Sequence, residues 1–185
     1  MTNKFSLEEF ISNFDGGAKS YLFEWVPQLT ASMLVLLKFN LDPSYFVRAA
    51  SLPGCDIEEM PSYYKGWEAR WPGAKRFTDW TVSFNMDKDG NLRRFFEIWM
   101  GMISEPALLG TYGDVWLYES IQRFSQLGPN DSTGELETQL TYEIVGAWPK
   151  NLGPATMDYS STDVTQFDVT FSYLYHLTPD ILDIF

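Results

Sequence analysis

Polar and apolar residues alternate along three stretches of the chain, 78–86, 137–145 and 165–175. In the first stretch, Trp80 and Phe84 would share one face of an extended strand, and polar residues would occupy the other face. Successive side chains of a β-strand point to opposite faces of a sheet. The pattern therefore predicts antiparallel strands, each with one buried face and one face in water.

Other segments give different signals. Residues 33–41 are almost continuously apolar, which predicts a strand covered on both faces. Residues 45–50 form a short extended piece that Leu52-Pro53 ends. The pattern of residues 115–124 fits either a helix or a strand. Gly and Pro residues are spread along the chain as turn residues, and no repeat or linker divides it.

One helix is predicted after the turn at Asp89-Gly90, because apolar residues recur there at intervals of three and four. Charged residues occupy its opposite face, and Pro106 ends the run. The apolar stripe consists of Leu92, Phe95, Phe96, Trp99 and Ile103. The predicted fold is mainly β, an antiparallel β-sandwich or barrel-forming arrangement with one flanking α-helix.

Length and composition agree with that fold. A chain of 185 residues has the usual size of one domain, so a single domain over residues 1–185 is expected. Aromatic residues make up 17% of the chain, which favours β-structure. The net charge of −12 argues against tight DNA binding, since proteins that hold DNA neutralise its phosphates with Lys and Arg.

Candidate catalytic chemistry is sparse. The chain has one cysteine, Cys55, which excludes an internal disulfide and argues against a multi-Cys zinc site. It has one histidine, His176, which argues against histidine-based catalysis. Asp56, Glu58 and Glu59 form an acidic cluster that we interpret as a solvated loop. We expect no enzyme activity, cofactor or metal. The N-terminus has no apolar signal core and no run reaches membrane-spanning length, so a cytosolic origin without membrane contact is expected.

The polar faces of the three alternating strands share one property. They carry Asp79, Glu137, Glu143 and Asp168 among Thr, Ser, Asn and Gln, with no Lys or Arg. The simplest interpretation is an ordinary wet face, although such faces usually mix both charges. The alternative is a passage for DNA, because basic residues along its path would bind the phosphates.

Four blocks in order resemble the tail tube proteins of contractile-tailed bacteriophages. These are AKSYLFEW (18–25), RAASLPGCDIEEMP (48–61), KRFTDWTVSFNMD (75–87) and the long block 142–176. The last block carries the family's Gly-x-Trp-Pro-x-Asn-x-Gly turn, formed here by Gly146, Trp148, Pro149, Asn151 and Gly153. The resemblance covers most of the chain.

This resemblance implies a tail tube fold in which six subunits form a ring and rings stack into a channel for DNA ejection. It favours a strand at 115–124 paired with 137–145. It implies a virion protein of the tail, assembled in the host cytoplasm. The implied partners are further copies of the chain, the tail sheath, the baseplate and tail terminator proteins, a tape measure protein inside the tube, and double-stranded DNA in transit without tight binding. The four carboxylates would line the channel.

The sequence departs from the family near 25–32, over 100–135, and at 176–185, where a short C-terminal extension runs past the family's usual end. A tube-initiating baseplate protein, or the tube of a related contractile injection system, is therefore an alternative. A second alternative is a carbohydrate-binding β-sandwich. Such a protein requires a row of exposed Trp residues, whereas Trp80 and Trp99 are predicted in the core and Trp148 in a turn. A hydrolase using acidic residues is a third.

Overall fold

The structure, a computed structural model, describes residues 17–29, 42–104, 118–130 and 135–179. Within these ranges the chain forms nine β-strands, one α-helix (α1, Asn91–Ser104) and a 3₁₀ helix (Pro43–Phe46). The strands are β1 (Phe23–Gln28), β2 (Val47–Ala50), β3 (Cys55–Tyr64), β4 (Trp67–Phe77), β5 (Trp80–Asn85), β6 (Ser120–Pro129), β7 (Leu136–Leu152), β8 (Gln166–Ser172) and β9 (Tyr175–Leu177).

Seven strands form one bent antiparallel sheet. Its order is β1-β6-β7-β8-β5-β2, with β9 added on β7, and β3 and β4 form a separate two-stranded sheet. Strand β7 belongs to both halves of the large sheet, because it pairs with β6 and β9 up to Ala147 and with β8 from Trp148 onward. We call β1, β6, β9 and the first part of β7 layer 1, and β2, β5, β8 and the last part of β7 layer 2.

Gly146 lies at the bend between the two layers. Its φ is +68°, a left-handed conformation that side chains other than glycine rarely adopt. A Cβ at this position would lie 2.7 Å from Leu174 Cδ1. Glycine therefore lets the strand pass from one layer to the other without strain at this position.

The hydrophobic core lies between the two layers. The rings of Trp25 in layer 1 and Phe84 in layer 2 have centroids 5.3 Å apart, and Phe124 in layer 1 lies 6.0 Å from Trp80 in layer 2. All four side chains are buried. Because the apolar faces of the layers meet, their outward faces point in opposite directions.

Helix α1 adds an aromatic face to this core. The Asp87 carboxylate accepts hydrogen bonds from the backbone N–H of Asn91 at 2.9 Å and of Leu92 at 2.8 Å, which caps the start of the helix. Phe96 packs on Phe84 with ring centroids 5.1 Å apart. The buried helix residues are Leu92, Phe95, Phe96, Trp99 and Met102. The predicted helix and its apolar stripe are thus confirmed, with Ile103 partly buried at the edge of the core.

The three alternating stretches form strands as predicted. Stretch 78–86 contains β5, 137–145 lies within β7, and 165–175 contains β8 and the first residue of β9. Inward and outward positions alternate along β5 and β8, where buried residues are separated by exposed or partly exposed ones. The fold class, mainly antiparallel β with one flanking helix, is confirmed.

Other predictions have mixed outcomes. The range 115–124 overlaps β6, whose pairing sets Arg123 opposite Glu143, as the family resemblance implied. The stretch 45–50 begins in the 3₁₀ helix and continues as β2. The predicted strand at 33–41 lies outside the described residues. That the whole chain forms a single domain stays a prediction.

Candidate functional surfaces

The outward face of layer 2 is polar, and its side chains hydrogen-bond across neighbouring strands. The hydroxyl oxygens of Thr81 and Thr170 lie 3.2 Å apart. Ser83 Oγ donates to Asp168 Oδ1 at 2.5 Å. Both contacts join residues that face each other in the register of β5 and β8. Cross-strand pairs of this kind stabilise a sheet face that is open to water.

Two cations lie on this face, and each contacts an acceptor. Lys150 Nζ is 2.6 Å from Asp79 Oδ2, and the two side chains are 52% and 41% exposed. Arg48 Nη1 donates to the amide oxygen of Gln166. Asp168 is the second carboxylate beside these two cations.

The four carboxylates that the sequence singled out do not share one surface. Asp79 and Asp168 belong to layer 2, whereas Glu137 and Glu143 lie in the part of β7 that pairs with β6 in layer 1. Glu137 Oε2 accepts a hydrogen bond from Asn130 Nδ2 at 2.6 Å. Because the outward faces of the layers point in opposite directions, one channel can be lined by only one of these two pairs.

The three alternating stretches lack Lys and Arg, but the outward faces of the two layers in the folded chain do not. Arg123 Nη2 lies 2.6 Å from Glu143 Oε1 on layer 1, in addition to Lys150 and Arg48 on layer 2. Sequence reasoning missed these cations because each comes from a segment outside the three stretches. Lys150 and Asp79, for example, are 71 residues apart in the chain. The register of β6 on β7 would have revealed Arg123.

The outward face of layer 1 is more apolar than that of layer 2. Four apolar side chains on it are between 38% and 40% exposed. They are Val26, Ile121, Tyr175 and Leu177. The register sets Val26 beside Arg123, which in turn faces Glu143 and then Leu177. An ion pair flanked by apolar side chains suits contact with protein better than contact with bulk water.

β3 and β4 form an exposed hairpin. Its turn is Lys65-Gly66, with φ of 47° and 85°, and positive φ at both positions is typical of the two-residue turns that join hairpin strands. Trp67, directly after the turn, is 81% exposed. Six large apolar residues of the hairpin are exposed: Ile57, Met60, Tyr63, Tyr64, Trp67 and Trp71. The Lys-Gly turn between aromatic residues is the sequence signal that could have found this hairpin.

The acidic cluster belongs to this hairpin, so its prediction as a loop is wrong. Asp56, Glu58 and Glu59 lie in β3. Glu58 pairs with Arg76 at 2.6 Å, and Glu59 pairs with Arg70 at 3.2 Å, both across to β4. The pattern gave no strand signal because every residue of β3 is exposed and neither face is reserved for apolar residues.

Hydrogen bonds fix the base of the hairpin to layer 2. The carbonyl oxygen of Gly54 accepts from the Thr78 N–H at 3.2 Å, from Thr78 Oγ1 at 3.1 Å and from the Tyr173 hydroxyl at 3.2 Å. Trp80 Nε1 donates to the carbonyl oxygen of Ser51 at 2.6 Å. These bonds set the direction in which the hairpin leaves the sheet.

His176 lies beside this base. Its Nδ1 is 3.3 Å from the Tyr173 hydroxyl oxygen. Burial, and then the nearby Lys75, lowers the pKa of His176. Burial, followed by the charges of Cys55 and Asp79, raises the pKa of Tyr173 to about 12. Both groups therefore favour their neutral forms, as expected for packing residues.

The five residues predicted to form a turn lie along a strand instead, so that prediction is wrong. Four of them are in β7 and the fifth follows it directly: Gly146, Trp148, Pro149, Asn151 and Gly153. Gly146 bends the strand without ending it, and the connection to β8 comes only after residue 152. Trp148 is only partly buried and lies outside the core cluster.

Two features are absent from the ranges that the structure describes. There, no group of three or more His, Cys, Asp and Glu side chains is placed to hold a metal ion. The described helices include none with the length and apolar character that crossing a membrane requires.

Comparison with known proteins gives consistent matches. The model of a family described as "Phage tail tube protein" matches residues 29–179. The tail tube protein gp19 of Enterobacteria phage T4 is 26% identical over 129 residues, which cover 69% of this chain and 77% of gp19.

Solved structures share the fold. The sheath/tube terminator of an extracellular contractile injection system, PVC, superposes with a TM-score of 0.61 at 14% identity, covering 86% of this chain and 94% of that chain. The tube terminating cap of the anti-feeding prophage gives a TM-score of 0.62 at 14% identity, covering 87% and 89%. At this identity the likeness concerns the fold alone.

Proposed function

Because this chain belongs to the phage tail tube protein family, we propose that it is the repeating subunit of a tail tube and has no enzymatic activity. Copies form hexameric rings, and the rings stack around a channel through which double-stranded DNA leaves the virion. The tail sheath lies outside the tube, the tape measure protein inside it, and baseplate and terminator proteins at its ends. Assembly takes place in the cytoplasm of the bacterial host.

The observation that carries the proposal is the exposed hairpin. An isolated two-stranded hairpin is marginally stable in water, and a contiguous apolar patch on a protein surface usually marks a contact site. On one face of this hairpin the register sets Tyr64 opposite Trp67, and the two side chains are 71% and 81% exposed. A second copy of the chain would cover these rings.

The charge of the hairpin favours contact between copies. The whole chain carries −12, so two copies repel each other on average. The hairpin has four acidic and four basic residues: Asp56, Glu58, Glu59, Glu68, Lys65, Arg70, Lys75 and Arg76. It is therefore neutral and can approach another subunit with little electrostatic cost.

The ends of the large sheet also favour closure. β1 and β2 are its terminal strands in the described part of the chain. A terminal strand presents N–H and C=O groups that can pair with another chain, and closing a sheet into a ring removes such edges. Self-association into rings accounts for both the hairpin and the edges.

The test compares two surface variants. We expect the double variant Trp67→Ser/Trp71→Ser to melt like the unchanged protein but to remain monomeric in sedimentation. The matched control is Tyr159→Ser, which removes a fully exposed aromatic ring outside the hairpin and should leave assembly intact. Normal assembly of the double variant would overturn the role of the hairpin.

The number of rings distinguishes a repeating subunit from a tube-initiating or terminating protein. A repeating subunit extends into tubes of many rings when an initiating complex is supplied. An initiator or terminator stops at one ring. Particle length under these conditions tests the choice directly.

A further inference from the structure

The two outward faces of the subunit differ in what surrounds their charged side chains. On layer 2, hydroxyl, amide and carboxylate groups cover the face, and Arg48 and Lys150 each contact an acceptor from another segment. On layer 1, the pair of Arg123 and Glu143 lies among exposed apolar side chains. Water-filled channels are lined by polar groups, whereas partly exposed apolar groups suit a protein contact.

We infer that the outward face of layer 2 is the channel wall, and that Asp79 and Gln166 keep its two cations, Lys150 and Arg48, from binding the phosphates of passing DNA. This inference rests on the proposed function. It replaces a wall without cations by one in which each of the two cations contacts an acceptor within the subunit.

The position of the hairpin supports this choice of wall. β2 leads into β3, and β4 leads into β5, so the hairpin continues the strands of layer 2. A contact that the hairpin makes with another subunit therefore extends layer 2 across the subunit boundary. A continuous wall around a channel requires such an extension.

Electrostatics explains why pairing each cation within the subunit weakens its binding to DNA phosphates. A phosphate that approaches Lys150 also approaches the Asp79 carboxylate, which lies 2.6 Å from the ammonium nitrogen. At the separations of a wide channel, the attraction of a phosphate to the ammonium group and its repulsion by the carboxylate largely cancel. Salt screens the remaining interaction beyond about 10 Å. Gln166 occupies a guanidinium donor of Arg48 that could otherwise bind a phosphate oxygen. DNA then meets a wall with which it forms few lasting contacts.

Two ion pairs on opposite faces provide a matched test. Asp79→Asn frees Lys150 on layer 2, and Glu143→Gln frees Arg123 on layer 1. Both pairs have a separation of 2.6 Å, and both substitutions change the net charge equally. Virions carrying Asp79→Asn should eject DNA several-fold more slowly, with recovery as salt rises from about 50 to 200 mM. Tails that assemble with Glu143→Gln subunits should eject DNA at the normal rate.

The double variant Asp79→Asn/Lys150→Gln tests the mechanism itself. Removing the freed ammonium group should restore the normal ejection rate. The inference is overturned if Asp79→Asn tails assemble and eject normally, if Glu143→Gln slows ejection equally, or if the double variant stays slow. Failure of the unchanged protein to form tubes would contradict the proposed function instead.

Labelling of assembled tubes gives a second test that does not depend on ejection. In a Cys55→Ser background, cysteine is placed at Thr81 on layer 2 or at Ile121 on layer 1. A small maleimide should label both positions. A maleimide carried by a protein wider than the channel should label the variant at Ile121 only. Equal labelling of the Thr81 variant by the large reagent would place layer 2 outside the tube and overturn the inference.

Discussion

Trp99 of helix α1 donates its indole N–H to the backbone carbonyl oxygen of Tyr118 at 2.8 Å. The same ring is fully buried and lies 6.1 Å from the ring of Phe171 in layer 2. One side chain therefore connects the helix to the segment that leads into β6 of layer 1 and to the core face of layer 2. Together with Phe96, which packs on Phe84, Trp99 joins the helix to the sheet.

Truncating Trp99 should cost far more stability than truncating Trp148. Trp99→Ala removes a fully buried ring, which should lower the free energy of unfolding by about 3–5 kcal/mol. Trp148 is partly exposed and outside the core cluster, so Trp148→Ala should cost less. Urea denaturation of both variants measures the difference. Equal losses would mean that Trp148 is a core residue after all.

The bend in β7 gives a second prediction. Gly146→Ala requires a left-handed alanine, with its Cβ 2.7 Å from Leu174 Cδ1, and should lower the free energy of unfolding by at least about 1 kcal/mol. The control is Gly101→Ala in helix α1, where no atom other than the helix's own neighbouring backbone lies within 4 Å of the added methyl group. That change should stabilise the protein by roughly 0.5–1 kcal/mol. Thermal melts that rank the two variants in the opposite order would refute this account of the bend.

The base of the hairpin should be sensitive to acid through His176. Its pKa is lowered in the folded protein by burial and by Lys75, so the unfolded chain binds a proton more readily. Its contribution to stability is present above the unfolded pKa of about 6.5 and is lost as the pH falls through the lower folded value. The variant His176→Gln should therefore lose less stability than the unchanged protein between about pH 7.5 and pH 5. Parallel losses in the two proteins would show that other groups cause the acid sensitivity.

The parts of the fold that the sequence predicted are those with one buried and one exposed face. β5 and β8 show it most clearly, because Trp80, Phe84 and Phe167 alternate with polar residues and are buried in the structure. Helix α1 was predictable for the same reason at a period of 3.6 residues. An element that is buried on one side has apolar residues at regular intervals in its sequence, and this periodicity can be recognised without coordinates.

The rest was harder to predict because it depends on pairing between distant segments or on strands that have no buried face. β3 has every residue exposed, so it carries no alternation and resembled a loop. The pairing of Lys150 with Asp79 depends on which strands lie side by side. The motif around Gly146 was predicted to form a turn, but a glycine that bends a strand and one that ends it look alike in sequence.

Assembly of the pure protein tests the central claim most directly. We expect electron microscopy of concentrated protein, with a tube-initiating complex supplied, to show closed rings stacked into hollow tubes with a continuous central channel. Sedimentation of the same samples should show large particles at the expense of monomer. Monomers alone at every concentration, with and without the initiating complex, would contradict the assignment of this chain as a tube subunit.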